Sequence, residues 1–148
     1  MSLAGITAVE HTLNELKNIS SSLLDAGIHG ICFSAYDEGQ QPGDQLTEAQ
    51  VRRKLSILKP HISWVRTFSC TEGNELIAQI AHELGIKTLV GAWLGDDLEK
   101  NEAEIAGLIT LCRQGAVDVA AVGNEVLYRE DLEVNALVNY IERVKAEV

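Results

Sequence analysis

Apolar and polar positions along this chain follow two different periods. Four short stretches are dense in β-branched and aromatic residues and read as strands: Ile28 to Tyr36, Ser63 to Ser69, Lys87 to Leu94 and Val117 to Glu125. After each of them apolar residues recur at spacings of three and four, which predicts amphipathic helices built on Val51, Leu55 and Leu58, then on Leu76, Ile77, Ile80, Ala81 and Leu84. The same spacing returns at Ile105, Leu108, Ile109 and Cys112, and at Leu132, Leu137, Tyr140, Ile141 and Val144. A leading helix from about Thr7 to Asp25 places Val9, Leu13, Leu16, Ile19, Leu23 and Leu24 on or near one face, and Gly27 closes it. Thr47 with Gln50 resembles a capping box, while Gly85 and Gly115 sit where helices should stop. Pro42 and Pro60 fall in a post-strand loop and at a helix end, where a missing donor does least harm.

Strands alternating with helices make βα units, whose crossovers force a parallel sheet covered by helices. Two architectures use such a series, a doubly wound open sheet and a (βα)8 barrel. The first closes with about five strands, and four units are half of the second. The pattern leaves both open and raises the reading of a fragment. Residues 1–27 are expected to form a helical extension and residues 28–148 the four βα units, with no interdomain linker between them.

Composition narrows the partners. With 22 Asp and Glu against 12 Lys and Arg, a net charge of −10 argues against a surface built for nucleic acid or anionic lipid. No apolar run reaches the ~20 residues that span a bilayer, and residues 1–28 lack a hydrophobic region followed by a cleavage-like site, so a soluble chain without membrane insertion is expected. Cys32, Cys70 and Cys112 are odd in number and widely spaced, which supports neither a disulfide framework nor a metal site and predicts three buried thiols. His11, His29, His61 and His82 are scattered, and Gly39 and Gly43 belong to no phosphate loop, so no cofactor is implied.

Ligands approach parallel sheets at the C-terminal strand ends. There the chain concentrates Phe33, Tyr36, Trp64, Phe68, Trp93 and Tyr128, and aromatic platforms suit the apolar face of a sugar ring. Strands are also aromatic-rich for purely structural reasons. The fourth strand ends in Gly123-Asn124-Glu125. Period-2 alternation puts Val119, Ala121, Gly123 and Glu125 on one face, with Glu125 directed into the cavity, partly desolvated, as a general acid requires. A helix cap or a hydrated loop would explain the same Glu. Asn124 offers an amide to a hydroxyl. Arg66, inside the second strand, needs a partner, with a carboxylate as the first choice and an exposed edge as the alternative. Asp96 and Asp97 fit helix capping as well as substrate binding, and the polar loop from Tyr36 to Gly43 fits either a sugar contact or an ordinary turn.

Together these segments resemble glycoside hydrolase family 17, the β-1,3-glucanase family, and most closely its bacterial branch. The residues that carry the resemblance are Gly30 to Tyr36 with Gly39-Gln40-Gln41-Pro42, Val65 to Ser69, Gly91 to Leu94 and Val122 to Leu127. It runs from about residue 28 to the end. The implied fold is α/β: half of a TIM (βα)8 barrel preceded by a helix. The implied reaction is retaining hydrolysis or transglycosylation of β-glucan, without a cofactor. Glu125 matches the proton donor, Asn124 the amide beside it, and Arg66 the arginine that supports the nucleophile, while Tyr36, Trp93 and Tyr128 are the expected sugar contacts. Plant-type members carry tyrosine where Phe33 stands, so any contact through that hydroxyl is lost or passes to Tyr36. Family members act on extracellular or periplasmic glucan. The nucleophile belongs on a seventh strand, beyond these four, so the isolated chain is expected to be inactive.

Two other readings remain. A half-barrel that binds carbohydrate or self-associates would use the same rim without hydrolysis, its exposed sheet edges pairing copies of the chain. A small doubly wound regulatory domain would need an acidic cluster or phosphate loop, which the chain does not clearly show.

Overall fold

The computed structural model describes residues 11–148. Helix α1 (Leu13–Asp25) starts at a complete capping box: the Glu15 N–H donates to Thr12 Oγ1 at 3.3 Å and the Thr12 N–H to Glu15 Oε2 at 2.7 Å. The part of the expected helix from Thr7 to Glu10, with Val9, lies outside the described residues. Four parallel strands follow, β1 (Ile28–Cys32), β2 (Ile62–Arg66), β3 (Lys87–Ala92) and β4 (Val119–Val122), in the spatial order β1-β2-β3-β4. Helices α2 (Glu48–Leu58), α3 (Glu75–Glu83), α4 (Leu98–Arg113) and α5 (Val134–Glu147) alternate with them and pack side by side in chain order.

This progression decides between the two architectures. A doubly wound sheet reverses its strand order at a switch point and takes helices on both faces. Here neither happens, and the sheet advances one strand at a time as a (βα)8 barrel does. Val65, Thr88, Val90 and Ala92 are buried on the helical side. The in-register row Cys32, Arg66, Leu89, Val119 crosses the other face, where Cys32, Arg66 and Val119 are exposed. Helix α1 does not shield that face, since none of its residues is buried.

The core has two lobes. Val51, Leu55, Val65, Ile77 and Ile80 fill the space beneath β1, β2 and the first helices, and Val90, Leu94, Ile105, Leu108, Val126 and Val144 fill the second. Of the three thiols only Cys70 is buried. Cys112 is half-buried and Cys32 exposed, because Cys32 stands on the uncovered face rather than in either lobe.

The strands are shorter than their β-branched runs suggest. Each ends two to four residues before the expected limit and releases its last residues as site loops. Helix ends follow the sequence signals more closely. Gly85 and Gly115 take left-handed conformations just after α3 and α4, and the Asp97 side chain caps α4 by accepting from the Glu99 and Lys100 N–H groups. Thr47 accepts from the Gln50 N–H at 3.4 Å, but the box is only half made because the Gln50 side chain turns to Ala35 O instead. No helix among the described residues is long and apolar enough to cross a membrane.

Gly107 lies inside α4, where glycine ordinarily costs about 1 kcal/mol relative to alanine. A Cβ here would stand 2.6 Å from Cys70 O and 2.9 Å from Cys70 Cβ, so the glycine is what lets α4 approach the loop after β2. Gly107→Ala is therefore expected to destabilise the fold by about 1–3 kcal/mol, against its helix propensity. A raised urea midpoint would refute this.

Candidate active site

The exits of β1, β2 and β3 enclose a cavity of about 280 Å³ walled by Phe33, Tyr36, Pro42, Phe68 and Trp93. Its polar groups come from Ser69, Glu72, Asn74, Lys100 and Glu104. The loop after β1 is tied to α2. Gln50 Nε2 donates to Ala35 O at 2.8 Å and also to Gln40 Oε1. The Asp37 carboxylate takes Arg53 at 2.8 Å and Lys54 at 3.1 Å, and Lys54 also donates to Tyr36 O. These two cations, Arg53 foremost, hold the Asp37 carboxyl below the usual aspartate range. The Tyr36 hydroxyl accepts from Asn74 Nδ2 at 3.3 Å, which aims the ring along the cavity wall.

Glu104 organises the floor. Its side chain is fully buried, and its two carboxylate oxygens accept from Ser69 Oγ at 2.5 Å, Thr71 Oγ1 at 2.7 Å, the Cys70 N–H at 2.7 Å and the Trp93 N–H at 3.1 Å. One carboxylate therefore fixes the loop after β2 and the residue after β3 relative to each other. Burial, with Glu104 close by, pushes the Cys70 thiol well above its ordinary range, so it serves as an inert core group.

Beside the cavity stands the end of β4. One more ladder bond, Gly123 N–H to Ala92 O at 3.0 Å, extends past Val122, and the chain then turns. Gly123 has φ +81° and Glu125 φ +53°, so the alternation that would have put Val119, Ala121, Gly123 and Glu125 on one face stops at the strand end. Glu125 is exposed, and the partial desolvation expected of it is not built in this structure. Arg66 reaches Asn124 Oδ1 at 2.8 Å and lies 4.8 Å from the centroid of Phe68. Its partner is thus an amide oxygen instead of the expected carboxylate, and the arginine is exposed on the uncovered face. Of the six candidate residues, Tyr36 and Trp93 line the cavity, Arg66 and Asn124 are joined beside it, Glu125 follows Asn124 as an exposed residue of the turn, and Tyr128 stands 87% exposed outside the lining.

Comparison with known proteins decides what kind of domain this is: residues 30–148 match the family described as the BtgE/BtgC glycoside hydrolase domain. The chain belongs to that family. Among its curated relatives this glycoside hydrolase domain is 27% identical over 95 residues to the glucan 1,3-beta-glucosidase BGL2 of Candida albicans, covering 62% of the chain and 31% of the relative. A second glucan 1,3-beta-glucosidase of Candida albicans is 28% identical over 98 residues, covering 64% of the chain and 32% of the relative. A solved structure of an active-site mutant of the Rhizomucor miehei beta-1,3-glucanosyltransferase, in complex with laminaritriose, superposes with a TM-score of 0.66 at 28% identity. It covers 82% of this chain and 46% of that one. The glycoside hydrolase domain thus spans about a third of the length of these curated relatives and under half of the solved neighbour.

Two site residues escaped the sequence reading. Glu104 was not singled out, although it lies four residues before Leu108, as Asn101 lies seven before it, on the apolar stripe of α4. Arg129 was likewise not singled out. It stacks 4.4 Å from the Trp93 centroid and caps the exits of β3 and β4.

Glu104→Gln replaces one acceptor oxygen by a donor facing donors. It should cost about 1–3 kcal/mol for each N–H or O–H left unpaired, read as a drop in the urea midpoint. An unchanged midpoint would contradict the role given to Glu104. Because the Asp37 carboxyl is depressed in the folded state, its pairing stabilises the loop above the ordinary aspartate range and is lost as pH falls through the folded value. The protection of the Tyr36–Gly43 amides, taken relative to their intrinsic exchange rates at each pH, should therefore fall at acid pH, and Asp37→Asn should abolish that fall.

Proposed function

We propose that this domain supplies the aromatic cavity and the acid carboxyl of an enzyme that hydrolyses or transfers β-1,3-glucan with retention. One observation carries the reading. In a chain of a glycoside hydrolase family, an aromatic-walled cavity lies beside the exit of β4, where Arg66 holds Asn124, the residue that precedes Glu125. In this reading Glu125 gives its proton to the leaving glycosidic oxygen and later takes one from the attacking water or sugar hydroxyl. Asn124, fixed through its carbonyl oxygen by Arg66, keeps its amide N–H groups for a sugar hydroxyl. Trp93 and Tyr36 stack against or border the ring, and the Tyr36 hydroxyl can still donate while it accepts from Asn74.

A retaining site needs a second carboxyl ~5 to 5.5 Å from the first to attack the anomeric carbon. Nothing in these four βα units is assigned that part, and exposed Glu125 lacks the desolvation a proton donor needs. The same exposure favours a second reading for the 148-residue chain by itself, that of a carbohydrate-binding half-barrel.

Titration of the chain with laminaritriose is expected to perturb the Phe33, Tyr36 and Trp93 resonances, and Trp93→Ala should weaken binding at least about tenfold, the loss of one stacked aromatic platform. The chain should show no turnover of laminarin. Absence of any perturbation would refute the sugar reading, and robust turnover would refute the assignment of the nucleophile outside these units.

A further inference from the structure

We propose that Arg129 is a positioning residue that makes the Trp93 wall and the Asn124-Glu125 turn move as one unit. The inference rests on the reading above only in taking Trp93 as a sugar platform. Backbone pairing between β3 and β4 ends with the Gly123-to-Ala92 bond. Beyond it, the carbonyls of Leu94 and Asn124 have no ladder partner, and the Arg129 guanidinium replaces the missing rung. Its Nη2 donates to Leu94 O at 2.8 Å and its Nη1 to Asn124 O. Its Nε donates to Asp131 Oδ2 at 2.7 Å, which sets the plane of the fork. That plane lies over the Trp93 ring, 4.4 Å from its centroid. A planar group with donors on both terminal nitrogens can hold two carbonyls and stack on an aromatic face at once, which an ammonium cannot.

The main chain closes the same loop. The Arg129 N–H donates to Glu125 O at 2.9 Å and the Asp131 N–H to Val126 O at 3.1 Å. Glu125 is thereby kept at φ +53°, a conformation unfavourable for a non-glycine residue that persists only under constraint. Asn124 is held twice, by Arg66 at its side-chain oxygen and by Arg129 at its main-chain oxygen, and each arginine also stacks on an aromatic of the cavity wall. A ring pressed on Trp93 is therefore felt at the residue that precedes Glu125.

The test uses amide hydrogen exchange and amide spectra of the 148-residue chain, its Arg129→Lys and Trp93→Leu variants, and the double variant. Arg129→Lys is expected to speed exchange of the hydrogen-bonded amides of Arg129 (or its lysine replacement), Glu130 and Asp131 at least about tenfold while the amides of α4 and β2 change less than about twofold. Trp93→Leu should loosen the same residues, and the double variant should loosen them no more than the larger single change. Unchanged exchange in Arg129→Lys, or additive effects in the double variant, would overturn the proposal. Should Arg129→Lys fail to fold, Asp131→Asn supplies the decision: a smaller loosening confined to residues 125–131 supports it and no change overturns it. With laminaritriose added, the Glu125 amide should shift in the unsubstituted chain and stay still in Arg129→Lys, where the Trp93 resonance still moves. A ligand that moves nothing in the unsubstituted chain refutes the sugar reading, and the ligand-free exchange still decides the coupling.

Discussion

Burying a carboxylate is costly unless donors surround it, and Glu104 meets that condition with four. Much of the site follows from it. The acceptor sits on α4, while its donors sit on the loop after β2 and the first residue after β3, so helix and strand exits cannot be assembled independently. Gly107 permits the close approach that brings α4 to that loop. Asn101, one turn earlier, does the same for the following loop by donating to Gly95 O and accepting from the Gly95 N–H, both at 2.8 Å. Polar residues on the buried face of one helix thus shape the cavity that other elements line.

The distribution of charge complements this arrangement. The net charge of −10 suggests an acidic molecule, yet many acids answer bases on helix surfaces, as in Glu48 and Glu83 with Arg52 and Glu102 with Arg143. Such exposed pairs contribute little stability. The arginines at the strand exits differ, because each spends its donors on an oxygen of Asn124 and its planar face on an aromatic ring. Their positions around Asn124 are set by where β2 and the turn after β4 end.

Periodicity revealed the order and type of the elements, since the stripes built on Leu55, Ile77 and Leu108 are the buried faces of α2, α3 and α4. Strand ends were less legible. Residues such as Phe68 and Leu94 have strand-like side chains but lie where the neighbouring strand no longer offers a partner, and pairing is a property of two segments. The Asn124-Glu125 rim and the aromatics Tyr36 and Trp93 were visible as residue types at strand exits. Their mutual geometry was not. Alternation predicted an inward, half-desolvated Glu125, whereas positive φ at Gly123 and Glu125 breaks the alternation. Glu104 and Arg129 were hidden because their meaning depends in part on partners more than thirty positions away in the chain, Cys70 for the one and Leu94 for the other.

The left-handed backbone of Glu125 has a consequence for how this domain can vary. Asparagine, aspartate and glycine accept that conformation more readily than glutamate does. Replacement by any of them would relax the turn while removing the longer side chain that places a carboxyl at the rim. Under the proton-donor role proposed for Glu125, selection for a more robust protein and selection for chemistry pull in opposite directions at this one position, and drift toward a binding-only domain is thermodynamically downhill.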